Sequence, residues 1–462
     1  MIEVKYRFDD FLSRLDFSED FVIDVNNNTC YSYQDIFIKA QCIANNELED
    51  ENIVILENGI SLLIIYFAAM IGNKIIIPID PEKSEAEIKR IKQIHTNAKV
   101  IDEKYEFSYR KYSDYKIDLG IFHSIDYDKD YIITYTSGSS GKPKGVVHSL
   151  GNLLSSAFEF ADLMQYDSKV RMCHVMPMTY MAGILNTIIL PFIACGKIVL
   201  MSRFSVKTVL SFWRDVMNNG VNTFWLSPTM LNLLLKVDRG DSVKTYISSV
   251  KPKISIGTAA LSEILRSKFE SKYGIKIYPS YGLSETLFIS TDDGTCVSET
   301  SVGRILKSVD IRYDTDDEML LSVPWMFKRY INIDSADYFV DNFYKSGDLG
   351  KCENDELQII GRKKDVIVKG GFNIYPSDIE RIVAGFIGVS EVCVGSIKMN
   401  DEESIICWYS GISLEKNNVN KRIARELGEK YKIDYFVKLD SLPKNLNGKI
   451  DKLMLVNKHS NI

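Results

Sequence analysis

Apolar and polar positions fall into two kinds of run along the middle of the chain. Short apolar stretches of strand length stand at Arg171–Met176, Lys197–Met201, Asn222–Leu226 and Lys253–Ile256. Helical patterns lie between them. Thr229–Val237 is one, and the apolar stretch Gly183–Cys195 is another, which Pro191 is expected to bend or end. A third opens with Ser205 as N-cap, sets Val206, Val209, Leu210, Trp213, Val216 and Met217 on one face, and stops at Gly220. Strand and helix in alternation predict parallel sheets with helices on their faces, where ligands bind in loops at the carboxyl ends of strands. The greasiest runs, Ile60–Gly72 and Gly183–Gly196, are cut off by Asn73-Lys74 and Lys197. Both fall well short of the roughly 20 apolar residues of a membrane span and read as buried helices.

The pattern changes near Gly361. A helix is predicted from a capping box of Ser377 and Glu380 just after Pro376, then strands at Glu391–Lys398 and Ser404–Tyr409, then a helix at Lys421–Tyr431. The predicted fold class is therefore α/β. A large N-terminal domain, residues 1–361, holds β-sheets flanked by helices, and a small α+β domain, residues 362–462, follows it. Gly361-Arg362-Lys363-Lys364-Asp365 is the joint. A length of 462 residues agrees with more than one domain. The net charge of −6 argues against gripping a nucleic-acid backbone, so any phosphate chemistry concerns a small ligand held locally. Eight cysteines without a C-x-x-C pair suggest reduced core thiols, and with no secretory pattern at the start the expected location is the cytoplasm.

The segment richest in chemistry is an apolar strand from Tyr131 that runs into Thr136-Ser137-Gly138-Ser139-Ser140-Gly141-Lys142-Pro143-Lys144-Gly145. Small residues let backbone approach an anion, hydroxyls and N–H groups donate to phosphate oxygens, and Lys142 and Lys144 add charge. It is not a Walker A loop, because its glycines are three apart and Pro143 follows the first lysine.

This segment, together with Tyr281-Gly282-Leu283-Ser284-Glu285, Tyr344-Lys345-Ser346-Gly347-Asp348, Gly361–Glu380 and the lysine loop Leu442–Lys449, resembles the AMP-forming adenylating superfamily. That superfamily holds acyl- and aryl-CoA synthetases, peptide-synthetase adenylation domains and luciferases. The motifs occur in family order from about Tyr33 to Lys452. The resemblance implies a mobile C-terminal domain and a two-step reaction: a carboxylate attacks the α-phosphate of ATP and releases pyrophosphate, then a thiol displaces AMP. It also implies roles. The loop Thr136–Lys144 would embrace the β- and γ-phosphates, Glu285 would hold Mg²⁺, and Ser284 would donate to the α-phosphate. Tyr281 would stack on adenine beside Gly257-Thr258-Ala259, with Gly282 in the same motif. Asp348 would accept the ribose hydroxyls, Arg362 would reach ribose or phosphate, and Lys449 would bridge the attacking carboxylate and the α-phosphate. Lys364 is the hinge position, and Gly370-Gly371 would border the pantetheine arm.

In the segment Met176–Gly183 the aligned position for an amino-acid ammonium carries Tyr180, not an acid, so an α-amino acid substrate is disfavoured. Tyr180, Gly183, Ser227, Ala260 and Leu283 are the expected acid-pocket neighbours, suited to a modest aliphatic or aromatic acid. The thiol acceptor is CoA or the phosphopantetheine of a separate carrier protein; a catalytically silent nucleotide-binding protein is the reading from another class. His148 and His174 are expected to be structural. Three departures from the family pattern stand out. The part before the phosphate loop is short, as if peripheral elements were missing; Glu356 stands where a glycine is usual; and Lys432-Ile433-Asp434 lacks the usual proline.

Overall fold

The computed structural model describes residues 2–107, 117–137, 143–399, 402–444 and 449–459. Its largest sheet is half parallel and half antiparallel. The parallel half runs through Tyr278–Leu283, Lys253–Ile256, Thr223–Leu226, Arg171–His174, Lys197–Leu200 and Asp20–Asp24. Thr223–Leu226 is buried on both faces, as a parallel strand between two layers of helices must be. At Tyr278–Leu283 the direction alternates, and Leu287–Thr291, Ser301–Ile305, Glu356–Arg362, Phe343–Glu353, Glu318–Ser322 and Asp310–Tyr313 follow in antiparallel order. The motif strand Tyr278–Leu283 thus sits where the sheet changes character.

A second sheet orders Lys99–Asp102, Glu51–Ile55, Ile75–Pro78, Asp130–Ser137, Pro143–Ser149 and Arg329–Tyr330, the last two antiparallel. One apolar cluster fills the space between the two sheets. It joins Ile76 and Ile132 of one to Ile198, Trp225 and Phe288 of the other through the helices Ile60–Gly72 and Leu150–Met164. Ile60–Gly72 buries every residue from Leu62 to Ile71, so its all-round apolar sequence matches an all-round apolar setting. Past Arg362, a three-stranded sheet of Val389–Met399, Glu402–Gly411 and Tyr435–Leu439 has its own core. The helices Pro376–Ala384 and Lys416–Leu427 cover one face, and Lys452–His459 covers the other.

Four sequence expectations need correction. The helix expected from Ser205 begins at Phe212. Ser205 and Thr208 instead bond each other's backbone N–H groups, which competes with helical hydrogen bonds, and Val206 and Leu210 face solvent. The run after Gly183 is a π-helix, Ala182–Ile189, in which Leu190 N–H bonds Leu185 O. Thr187 Oγ1 donates to Gly183 O at 2.7 Å and takes the carbonyl that an α-turn would use. Pro191 sits in the short α-helix Leu190–Ile193 that continues the chain, so it does not end the helix. The capping box does not form: Tyr375 is the N-cap, Ser377 Oγ donates to Ile360 O at 2.5 Å, and Glu380 accepts from Val394 N at 2.7 Å. Finally, the last long helix is Lys416–Leu427, ended by Gly428 at φ 103°, with only a 3₁₀ turn at Glu429–Tyr431.

Glu356 needs no glycine because the left-handed positions of its turn are Asn354 (φ 54°) and Asp355 (φ 64°). Its carboxylate accepts from Val297 N and Ser298 N at 2.7 and 3.0 Å. The eight cysteines are unpaired thiols. Among the described residues, no helix is long and apolar enough to cross a membrane.

Candidate active site

The site is built on the hairpin of Tyr278–Leu283 and Leu287–Thr291. Its turn is tight: a Cβ on Gly282 would lie 2.0 Å from Leu287 O, so only glycine fits, and Leu287 itself takes φ 53°. Three successive carbonyls of the turn are pinned from outside. Ser284 O is 2.7 Å from His148 Nε2, Glu285 O accepts from Phe327 N at 2.8 Å, and Thr286 O accepts from Trp325 Nε1 at 2.8 Å.

The Glu285 carboxylate accepts from Tyr330 O–H at 2.8 Å, and Tyr330 and Tyr344 hydroxyls lie 2.9 Å apart. Burial, then the charge of Glu285, raises the pKa of both phenols, so they remain protonated donors. Lys144 closes this tyrosine cage. Its Nζ donates to Tyr338 Oη at 2.7 Å and lies 4.2 Å from the Tyr338 ring centre and 5.3 Å from that of Tyr330. A phosphate-loop cation and the carboxylate expected to hold a metal thus share one set of aromatic neighbours. Tyr330 engages one oxygen of Glu285, and a carboxylate has roughly four acceptor positions, so it retains capacity for a hard cation.

Asp348 forms the other pole. It is buried and accepts from Tyr281 O–H at 2.7 Å and from Arg362 Nε at 2.9 Å. Burial raises its carboxyl pKa, while Arg362, Tyr281 and the nearby Lys449 ammonium pull it down. Gly347 N, just before it, donates to Glu318 Oε1 at 3.0 Å. The other oxygen of Glu318 joins Asp314 and Asp316 around Lys363 Nζ, at 3.1, 2.8 and 2.9 Å respectively. On the far side of Lys364, Asp365 pairs with Lys452 at 3.5 Å. Lys364, between these two anchors, is exposed.

The structure therefore draws Tyr281, Gly282, Ser284, Glu285, Lys144, Asp348, Arg362 and Lys449 around one hairpin and its neighbours. Gly257 is backed by the Trp225 indole, 3.1 Å from where a Cβ would be. Thr258 adopts φ 70°, strained for a β-branched residue, with its buried Oγ1 unpaired among the described residues. Ala259 and Ala260 are exposed. Thr136 and Ser137 end their strand, whereas Gly138, Ser139, Ser140, Gly141 and Lys142 lie outside the described residues.

The acid-pocket candidates sit in different packing surroundings. Tyr180 packs with Val175, Met176 and Ala182, but Leu283 packs with Phe327 and Tyr344. A Cβ on Gly183 would stand 1.9 Å from Pro177 O, so close backbone approach explains that glycine, and Ser227 Oγ caps the helix Pro228–Val237. Gly370 and Gly371 (φ 57° and 77°) are the two-residue turn of the hairpin Ile367–Lys369 and Phe372–Ile374, open to solvent.

Sequence reasoning missed Tyr330, Tyr338, Trp325, Glu318 and any function for His148. The only signal was the crowding of aromatics between Trp325 and Tyr344, which reads equally well as core. His148 and His174 are fully buried, and burial lowers each to a pKa of about 4. His174 Nδ1 meets Thr187 Oγ1 at 2.7 Å, while its Nε2 has no partner among the described residues.

The family of AMP-binding enzymes matches residues 22–325. The malonate–CoA ligase of Arabidopsis thaliana is 25% identical over 70% of this chain, and the chain spans only 60% of that relative's length. The 2-succinylbenzoate–CoA ligase of Listeria monocytogenes is 25% identical over 82% of this chain and 80% of its own. ATP-bound MatB from Rhodopseudomonas palustris superposes with a TM-score of 0.86 at 20% identity, covering 99% of both chains. The fold therefore lacks little that this neighbour has, contrary to the expectation of missing peripheral elements.

Proposed function

The chain belongs to the family of AMP-binding enzymes, and from that premise we propose that it is an ATP-dependent acid–thiol ligase making an acyl-CoA. One observation carries the reading. Glu285 with Lys144, and Asp348 with Arg362, flank the same hairpin, and the charge of Lys449 helps to lower the Asp348 carboxyl pKa. That is a carboxylate and a cation for a metal–triphosphate at one end and an acceptor for a ribose at the other. Both oxygens of Asp348 are engaged by protein donors, yet an ionised carboxylate has acceptor capacity left for hydroxyls.

In the first step a carboxylate oxygen attacks the α-phosphorus, the bond to the β-phosphate oxygen breaks, and pyrophosphate leaves. All the reactants are anions, so the chain must offset charge: Lys449 between carboxylate and α-phosphate, Lys144 on the pyrophosphate side, and Ser284 as a donor to the α-phosphate. Mg²⁺ on Glu285 would supply further charge neutralisation. Asp348 and Tyr281 orient the nucleoside. In the second step a thiolate sulfur attacks the acyl carbon and the bond to AMP breaks.

We further propose that residues 1–361 and 362–462 are the two moving parts, that Tyr180 and Leu283 border the acid, and that the enzyme works in the cytoplasm without nucleic acid. The acid is a small carboxylic acid other than an α-amino acid, which the neutral Tyr180 supports. The test is pyrophosphate exchange across a panel of aliphatic, dicarboxylic and aromatic acids, followed by thioester formation with free CoA and with a phosphopantetheinylated carrier protein. No exchange with any acid rejects the ligase reading and favours a silent nucleotide-binding protein. Exchange with transfer only to the carrier replaces CoA by the carrier as acceptor.

A further inference from the structure

We propose that His148 is a positioning residue that sets the turn carrying Ser284 and Glu285 in register with the phosphate-loop strand. The proposal rests on the reading of Glu285 as the ligand of the metal–nucleotide. A carbonyl can only accept, so the 2.7 Å contact to Ser284 O requires the hydrogen on His148 Nε2. Nδ1 is then an acceptor, and Asn152 Nδ2 stands 3.4 Å from it. The same Asn152 amide nitrogen donates to Met326 O at 2.8 Å. Geometry thus selects the tautomer, and a pKa of about 4 keeps the ring neutral near neutral pH.

The placement makes this contact more than a satisfied core histidine. Phe327 N and Trp325 Nε1 hold the next two carbonyls, and both come from the 325–327 segment. His148 is the member of the three that comes from the strand Pro143–Ser149, whose first two residues, Pro143 and Lys144, are the end of the phosphate loop. Lys144, Val146 and His148 alternate onto one face of that strand, and Val146 packs with Phe327, Tyr330 and Tyr344 under the tyrosine cage. One strand face therefore carries the phosphate-side cation at one end and the clamp on the Glu285 turn at the other. Glu285 and Lys144 must act on the same metal–triphosphate, and His148 ties their spacing.

The test compares wild type, His148→Gln, whose amide N–H reaches a similar distance, and His148→Leu. Pyrophosphate exchange is measured against ATP, acid and Mg²⁺ concentration, with Mg·ATP titrated calorimetrically and melting temperatures recorded. The Leu variant is expected to raise the KM for ATP and the Mg²⁺ requirement by about tenfold or more, leave the KM for the acid within about twofold, and be largely rescued by Gln. Should the Leu variant not fold, His148→Asn, one methylene too short, takes its place with the same expectation. The proposal is overturned if Gln and Leu (or Asn) lose activity and melting temperature alike with ATP and Mg²⁺ dependence unchanged, or if neither has any effect. A wild type that binds no Mg·ATP overturns the ligase reading itself, and is told apart because it appears before any substitution.

Discussion

Lys449 and the Tyr330 hydroxyl each bear on a carboxylate beside the hairpin, and the hydroxyl can be removed with the Tyr330 ring kept in its core cluster. Lys449 lies near enough to Asp348 to counter the rise in its carboxyl pKa, which brings a cation of the C-terminal part towards the residues proposed to hold the nucleotide. Lys449→Ala is expected to slow adenylation by about a thousandfold, several kcal/mol of barrier, and to spare thioester formation from pre-made acyl-adenylate. Separate assays of pyrophosphate exchange and single-turnover transfer decide it; equal loss in both removes Lys449 from its assigned step. Tyr330→Phe keeps the ring under Lys144 but deletes the donor to Glu285, so the Mg²⁺ needed for half-maximal exchange should rise several-fold. An unchanged Mg²⁺ curve would show that the hydroxyl does not matter to the metal. Tyr180→Ala should shift preference towards bulkier acids with the KM for ATP little changed. A size series of acids with an unaltered profile would place the pocket elsewhere.

Among the elements, the joint is the most informative. Arg362 and Lys363 are tied back to the large sheet, Arg362 to Asp348 and Lys363 to Asp314, Asp316 and Glu318, whereas Asp365 is tied forward to Lys452. One exposed residue, Lys364, separates the two anchors, and a hinge is a position that absorbs a large change in φ and ψ. Proline holds φ near roughly −65° and removes the N–H. Lys364→Pro is therefore expected to leave pyrophosphate exchange nearly intact and to slow acyl transfer to the thiol sharply. Transfer at the wild-type rate moves the pivot elsewhere. The helices misjudged at Ser205, after Gly183 and at Ser377 share a reason: Ser205, Thr208, Thr187, Ser377 and Glu380 have side chains that bond backbone groups, which hydrophobic periodicity does not reveal.

At the scale of the whole molecule, two buried neutral imidazoles link stability to pH. His148 and His174 have pKa values of about 4 in the folded chain against an ordinary value of 6.5. The unfolded chain therefore binds more protons between those values. Stability is fully present above about pH 6.5 and is lost as pH falls towards 4, by on the order of 2 kcal/mol per ring at pH 5. Melting temperature against pH for wild type and His174→Asn checks this: the variant should lose less between pH 7 and 5. Parallel curves would mean that His174 contributes nothing to the acid sensitivity.

Much of the fold and the order of the motifs was decided by local sequence. Strand-length apolar runs, the all-round apolar helix Ile60–Gly72 and small residues behind a strand express short-range sterics and hydrophobic periodicity. Close backbone approach at Gly282 belongs to the same class once the hairpin is known. The tertiary structure alone decided which polar groups meet. His148 reaches Ser284 across 136 positions of sequence, Tyr330 reaches Glu285 across 45, and Tyr281 reaches Asp348 across 67. Such pairs leave no periodicity in the chain, because a hydrogen bond between distant segments depends on strand order and register. A tyrosine bound for the cage therefore looks, in sequence, like any tyrosine bound for the core.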